Sequence, residues 1–430
     1  MARALYTLLL WLGLPLVGLR LLWRSRRQPE YLQHVGERFG RYPGNGAAQP
    51  AARPRLWLHA VSVGETRAAQ PLVRALLARY PDHDLVLTCM TPTGRAAAQE
   101  VYASFGARVV CAYLPYDYPF AVRRFLAHFA PRIGLLMETE IWPNLVAQCT
   151  QANVPLALVN ARLSARSARG YARFAALTQP AFAGLKLVGA QSAADRERLL
   201  AVGARAVEVT GNLKYDVASD PGVVARGQAW ARWREARADG RERRMFLAAS
   251  TREGEEALLL DALAPLVRAG HLLAIVPRHP QRFDEVARLI TSRGYALARR
   301  SAGQEVGRET EVWLGDSMGE MPGYYGAADC AYIGGSLLPF GGQNLIEACA
   351  LGCPVLLGPH TYNFTQAAEE AVAAGAALRV PDAAALAQEA LRLLDDANAR
   401  SRMAQAGRDF TRTHRGATDK TMALVEKLLP

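Results

Sequence analysis

Beyond residue 55 the chain alternates between short, nearly continuous apolar runs and longer stretches with helical period. The runs LWLHAVS (56–62), DLVLTCM (84–90), RVVCAYLP (108–115), RIGLLMETE (132–140), VPLALVNA (154–161), LKLVGAQ (185–191) and VEVTGN (207–212) predict strands buried on both faces. Amphipathic stretches from about Glu65 to Arg79 and over 93–104, 118–129 and 143–152 predict helices between them. A second series follows: MFLAAS (245–250), HLLAIVP (271–277), YALA (295–298), EVWLG (311–315), CAYIGG (330–335) and PVLLGP (354–359). Such strand–helix alternation predicts an α/β chain with two doubly wound, Rossmann-like parallel sheets. The charged stretch 218–243 is a plausible junction, and 383–428 is an Ala- and Leu-rich helical tail. Ligands of such sheets bind at the carboxyl ends of the strands, so two sets of strand ends are expected to face one central cleft.

The beginning of the chain has a different pattern. Residues 4–19 carry no charge, Arg20 interrupts, Leu21-Leu22-Trp23 continue, and Arg24, Arg26 and Arg27 close the segment. As a helix, the uncharged stretch measures roughly 24 Å, short of a bilayer core of ~30 Å. Including residues 20–23, with Arg20 reaching toward the headgroups, makes a span just possible. Trp11, Trp23 and the arginines suit a membrane interface better than a buried core helix. No clear cleavage site supports a signal peptide. An N-terminal membrane anchor is the expectation, with the arginines holding the following domains on the cytoplasmic side. The expected divisions are a membrane anchor and basic segment over 1–42, a domain over 43–217 opened by the Pro- and Gly-rich linker 43–55, a domain over 244–400, and a C-terminal helix over 401–430.

Composition narrows the partners. The chain has 430 residues, half of them hydrophobic, and a net charge of +12. Residues 1–55 hold nine arginines against two glutamates, +7 of that charge. Concentration beside the apolar start favours anionic membrane lipids over nucleic acid. The six cysteines, Cys89, Cys111, Cys149, Cys330, Cys349 and Cys353, form no Cys-x-x-Cys and sit mostly in apolar runs, which suits reduced, packed thiols.

The chemistry-bearing residues cluster at strand ends. No P-loop, dinucleotide fingerprint or H-E-x-x-H is present. Asp82-His83-Asp84 spells D-x-D but follows Pro81 in a turn, so a mechanism without a metal is expected. His59-Ala60-Val61-Ser62-Val63-Gly64-Glu65 ends the first strand, and Glu65 opens the next helix, where a carboxylate also suits the macrodipole. Met137-Glu138-Thr139-Glu140-Ile141-Trp142-Pro143-Asn144 ends another strand with two acids beside a tryptophan. Gly211-Asn212-Leu213-Lys214-Tyr215-Asp216 brings a cation to a third strand end, or leaves it as a solvated loop lysine.

In the second half, Ser250-Thr251-Arg252-Glu253-Gly254 resembles a helix N-terminus capped by Ser250 or Thr251, whose amides would bind an anion. Pro277-Arg278-His279-Pro280 offers a phosphate partner in Arg278. Gly315-Asp316-Ser317-Met318-Gly319-Glu320-Met321 closes another strand. Gly341-Gly342-Gln343-Asn344-Leu345-Ile346-Glu347-Ala348 predicts a glycine-opened helix with Asn344 and Glu347 on one face, its amides suited to phosphate and its carboxylate to a ribose diol.

Taken in order, these strings resemble those of the Kdo (3-deoxy-D-manno-octulosonic acid) transferases of lipopolysaccharide synthesis, which are GT-B glycosyltransferases. The resemblance covers nearly the whole chain: the apolar start, Gly36-Glu37-Arg38-Phe39-Gly40, HAVSVGE, METEIWPN, NARLS (160–164), GNLKYD, STREGEE, PRHPQRF, GDSMGEM and GGQNLIEA. It implies a CMP-Kdo donor, a lipid A precursor (lipid IVA) as acceptor, and a cytoplasm-facing inner-membrane location. It implies that Glu65 is the catalytic base and that Glu138 and Lys214 stabilise the transition state. It places CMP on Pro277 and Arg278, on Met318, Gly319 and Glu320, and on Asn344, Leu345, Ile346 and Glu347. Inverting transfer needs one base and a site that stabilises an oxocarbenium ion, with no covalent nucleophile. Two alternatives stand beside it. One is another GT-B enzyme, either a different lipid glycosyltransferase or a nucleotide-sugar epimerase, of which the epimerase would need no anchor; the other is a non-catalytic membrane-associated protein, which would tolerate Glu65→Ala.

Overall fold

The computed structural model describes residues 1–26, 28–43, 53–230 and 242–429. The chain divides into two compact units: 1–217 with 415–430, and 218–414. The junction 231–241 and most of the linker 43–55 lie outside the described residues.

The first unit holds seven parallel strands, β1 (Arg55–His59), β2 (Asp84–Cys89), β3 (Val109–Tyr113), β4 (Pro131–Met137), β5 (Leu156–Ala161), β6 (Leu187–Ala190) and β7 (Val207–Val209). Their order is β3-β2-β1-β4-β5-β6-β7. Strand order therefore reverses between β1 and β4, the point at which open α/β sheets carry their ligands. Apolar cores cover both faces, one around Trp57, Phe125 and Phe182, the other around Leu58, Leu72 and Ile133. Two-sided burial is why these strands are apolar throughout rather than alternating.

The second unit repeats the plan with β8 (Met245–Thr251), β9 (Leu272–Pro277), β10 (Leu297–Arg299), β11 (Val312–Leu314), β12 (Cys330–Ile333), β13 (Val355–Leu357) and β14 (Ala377–Arg379), in the order β10-β11-β9-β8-β12-β13-β14. Its reversal lies between β8 and β12. All its pairings are parallel. The two parallel-sheet α/β domains expected from the pattern are present, and the first unit also pairs in parallel throughout.

Several elements differ from expectation. The single helix expected from Glu65 to Arg79 is two, Val63–Ala68 and Gln70–Arg79, because Pro71 has no N–H to continue the first. The apolar start is also two helices, Ala2–Leu12 and Leu14–Ser25, bent by 50°. Pro15 withholds the bond that Trp11 would receive, and Gly13 makes the corner. No single helix among the described residues is long and apolar enough to cross a membrane. The C-terminal tail is three helices, Ala383–Asp395, Ala397–Thr413 and Ala417–Glu426, the last two separated around Gly416 at φ +97°. Helix Ala417–Glu426 packs into the first unit, where Asp216 accepts from the Gly416 and Thr418 amides at 2.8 and 2.6 Å. Strand β14 was hidden in an Ala-rich stretch. All six cysteines are free thiols.

Candidate active site

At the β1/β4 reversal, β1 ends at His59 and the chain turns into helix Val63–Ala68. Ser62 caps that helix, its hydroxyl accepting from the Glu65 amide at 3.3 Å. Glu65 answers in kind: its carboxylate accepts from the Val61 amide and the Ser62 hydroxyl, each at 2.9 Å. This is a capping box that fixes the rotamer of Glu65 at the strand end. Burial pushes the Glu65 carboxyl up to about 7, and the nearby Glu138 charge adds to the rise. The capping bonds leave each carboxylate oxygen of Glu65 a further lone pair.

Strand β4 delivers Glu138 at its end. Its amide still donates to Val159 at 3.1 Å, yet its φ is +57°, a left-handed conformation that an ordinary side chain rarely adopts. This turn is not the straight continuation that would carry Glu138 and Glu140 to one side. Glu140 instead accepts from Trp142 Nε1 at 2.9 Å, and burial raises its carboxyl. Lys214, on the short turn after β7, places Nζ 3.6 Å from Glu138 Oε1. The turn is held by Asn160, itself left-handed at φ +52°, whose Oδ1 accepts from the Leu213 amide at 3.0 Å. The structure thus brings Glu65, Glu138 and Lys214 together. His59 is fully buried, and burial lowers its imidazole to about 4, so it is a neutral packing partner of Thr88 rather than a base.

The second unit gathers a different set at the ends of β9, β8, β12 and β11. Arg278, just past Pro277, donates from Nε to Gln343 Oε1 at 3.3 Å, which joins the β9 end to the glycine-rich loop. Neither Ser250 nor Thr251 caps the following helix. Ser250 is left-handed at φ +58°, and the helix Glu255–Ala262 starts from Gly254. One of the amides expected to meet an anion there is answered internally: the Arg252 amide donates to Glu255 Oε2 at 2.9 Å, as does the Gly335 amide past the end of β12 at 2.6 Å. Glu256 is fully buried and accepts from Arg282 at 2.7 Å and from the Thr251 hydroxyl at 2.7 Å. Both glutamates lie in the STREGEE string, but Glu255 is enclosed by Tyr332 and Gly335 at β12, far away in sequence, and Glu256 by Arg282.

Beyond β11, Met318 is 54% exposed and Gly319 is left-handed at φ +78° with open space where a Cβ would stand. Glu320 is committed to Arg300 at 2.9 Å and to the Ser317 hydroxyl at 2.6 Å, so this segment offers backbone and Met318 more than a free carboxylate. The glycine-opened helix is shorter than expected, Ile346–Ala350, because Gly341 and Gly342 are both left-handed and delay its start. Asn344 Oδ1 accepts from the Ile346 amide at 3.1 Å. Leu345 and Ile346 are buried, leaving only their backbone for a ligand, while Glu347 is half-buried. Among the described residues no three His, Cys, Asp or Glu side chains group as metal ligands.

Residues 33–217 match the family described as 3-deoxy-D-manno-octulosonic-acid transferase (kdotransferase), and residues 294–410 match glycosyl transferases group 1. The chain is 48% identical to the 3-deoxy-D-manno-octulosonic acid transferase of Bordetella pertussis, with both chains covered in full. It is 36% identical to that of Haemophilus influenzae, covering 100% of this chain and 99% of the relative. The UDP-GlcNAc 2-epimerase of Neisseria meningitidis superposes with a TM-score of 0.58 at 16% identity, over 87% of this chain and 99% of the other. A glycosyltransferase from Rickettsia africae does so with 0.58 at 14%, over 88% and 99%. The structural likenesses bear on the fold alone. The sequence likenesses reach further: the chain belongs to the 3-deoxy-D-manno-octulosonic acid transferase family and is a glycosyltransferase.

Proposed function

We propose that the enzyme transfers Kdo from CMP-Kdo to lipid IVA by inverting, metal-independent glycosyl transfer at the cytoplasmic face of the inner membrane. The observation that carries this is Glu65. Its carboxyl is fixed at a strand end by its own capping box, and burial poises it near neutrality. That is the state a general base requires at cellular pH. Glu65 takes the proton of the acceptor sugar hydroxyl as that oxygen attacks the anomeric carbon. The Glu138–Lys214 pair supplies both signs of charge beside it: the carboxylate suits a developing oxocarbenium ion, the ammonium the donor's carboxylate or phosphate. Arg278, the backbone at Met318 to Glu320, and Asn344 to Glu347 hold the cytidine monophosphate.

The membrane location is supported by a run of exposed Leu5, Leu8, Leu9, Leu12, Leu16, Leu19 and Leu22 with Trp11 and Trp23. A large exposed apolar patch rimmed by arginines suits an anionic lipid surface. Thr7 and Trp11 contact Asn144 and Tyr118 within the same unit, which supports an anchor lying along the bilayer rather than through it. Helix Ala165–Arg173 adds exposed Arg166, Arg169 and Arg173. At 100° per residue these three fall on one face, opposite Tyr171.

The test incubates detergent-solubilised enzyme with lipid IVA and CMP-Kdo in EDTA and counts added sugars by mass spectrometry, with Glu65→Ala alongside. Addition by the wild type alone supports donor, acceptor, base and metal independence together. Absence of addition by folded wild type refutes the substrate assignment, and equal addition by the variant removes Glu65 as base.

A further inference from the structure

The turn after β4 is held at both ends, and its far end is held by an element from the start of the chain. Helix Pro143–Gln151 begins right after Trp142. Its first amides, of Asn144 and Leu145, donate to Asp117 Oδ2 and Oδ1 at 3.0 and 2.7 Å. Asp117 is 5% exposed and Asn144 1%. The Asn144 side-chain amide donates one hydrogen to the Asp117 carbonyl at 2.8 Å and the other to Thr7 Oγ1 at 3.0 Å. Thr7 Oγ1 in turn donates to the Arg3 carbonyl at 2.9 Å. The Tyr6 hydroxyl faces the Asp117 carboxyl. Tyr118, next along from Asp117, donates to the Leu10 carbonyl at 2.8 Å and stands with Phe120 around Trp11. Asn144 and Asp117 thus hold each other, and Thr7 and Tyr6 on helix Ala2–Leu12 complete their surroundings.

This matters because Glu138 is held in an unfavourable backbone conformation, which persists only where the surroundings over-determine it. The near end of its turn is fixed by the sheet through Val159. The far end is fixed by the helix start that Asp117 caps. A tether needs no buried hydrogen bonds to the domain it tethers. Building on the catalytic reading of Glu138, we infer that Asp117 and Asn144 are positioning residues through which the docked N-terminal helix sets the geometry of the Glu138–Trp142 turn.

The test uses the full-length protein in detergent micelles, where binding to a bilayer does not limit turnover. Thr7→Val removes the hydroxyl at constant shape, and Thr7→Ser restores it. The expected result is a fall in kcat of about tenfold for Thr7→Val, on the scale that a small misplacement costs. KM values stay within about twofold and Thr7→Ser recovers activity, as a geometric rather than a binding defect requires. Hydrogen exchange at the Asn144 and Leu145 amides is expected to quicken in Thr7→Val and not in Thr7→Ser. That arm needs no substrate, so it decides the inference even if wild type transfers no sugar from this donor. An unchanged kcat with unchanged exchange, or weakened vesicle binding alone, would show a simple tether and overturn the inference. Equal loss in both Thr7 variants would also overturn it.

Discussion

Lys214 Nζ stands 3.6 Å from Glu138 Oε1, an ion pair made between the turn after β7 and a left-handed residue after β4. The pair brings opposite charges to the strand end that also carries Glu65. Removing either charge should therefore slow the chemical step more than it weakens substrate binding. Lys214→Met is expected to lower kcat about 10²–10³-fold, the range for loss of one preorganised electrostatic partner. Steady-state kinetics with both substrates varied would check it; a change confined to KM would assign Lys214 to binding alone.

The pH profile should carry the signature of Glu65. Burial and the Glu138 charge disfavour its ionised form, so its folded pKa stands near 7, above the usual carboxylate value. A base acts when deprotonated. Activity should accordingly rise through a midpoint near 7 and be lost below it. Glu138→Gln removes the repelling charge and should move that midpoint to lower pH, whatever it does to the maximal rate. Rate measurements from pH 5 to 9 on both proteins would check the shift, and a midpoint that does not move would place the titration elsewhere.

The second unit depends on a buried ion pair. Arg282 and Glu256 have side chains 8% and 0% exposed, with two bonds between them at 2.7 and 3.1 Å. Arg282→Met leaves the Glu256 carboxylate buried without its cation. The cost should be about 3–5 kcal/mol, more than for most single substitutions. Calorimetry should show it in the transition of the second unit. The double variant Arg282→Met with Glu256→Gln should recover much of the loss, because it removes both charges.

Membrane attachment should be both apolar and electrostatic. Replacing Arg166, Arg169 and Arg173 by Gln removes three exposed charges, each contributing about 1 kcal/mol near an anionic surface. Flotation with vesicles containing phosphatidylglycerol should show weaker binding and a shallower salt dependence. Leu16→Gln with Leu19→Gln should weaken binding to neutral vesicles too. Equal binding by the arginine variant would place the charged contact elsewhere.

How much of this was legible in the sequence depends on the range of the cause. Strands such as 84–90 announce themselves because burial on both faces makes the run apolar throughout. Glu65 after a strand, three residues on from Ser62, is a local signal, and the capping box forms as such signals do. Pro71 and Pro15 carried the information that their helices would break, yet the apolar period around them outweighed it. The left-handed backbone of Glu138 has no local sign, since glutamate does not favour it; the sheet and the Asp117 cap impose it from outside. Asp117 was overlooked for a related reason: its partners stand at Tyr6 and Asn144, and only the fold unites them. Glu255 and Glu256 carry no local sign of burial; Tyr332 and Gly335 enclose the first and Arg282 the second.

The last helix changes the order in which the protein can be made. The chain leaves the first unit after Val217 and returns at Arg415. Leu213, Ala417, Met422 and Val425 share one buried cluster with the sheet. A ribosome therefore completes the second unit while the first still has a bare apolar face. On a chain that emerges N-terminus first and folds by domains, the unit bearing the proposed base closes last. Its final stabilisation waits for the 417–426 helix, so premature termination near residue 414 should yield a folded second unit joined to an aggregation-prone first.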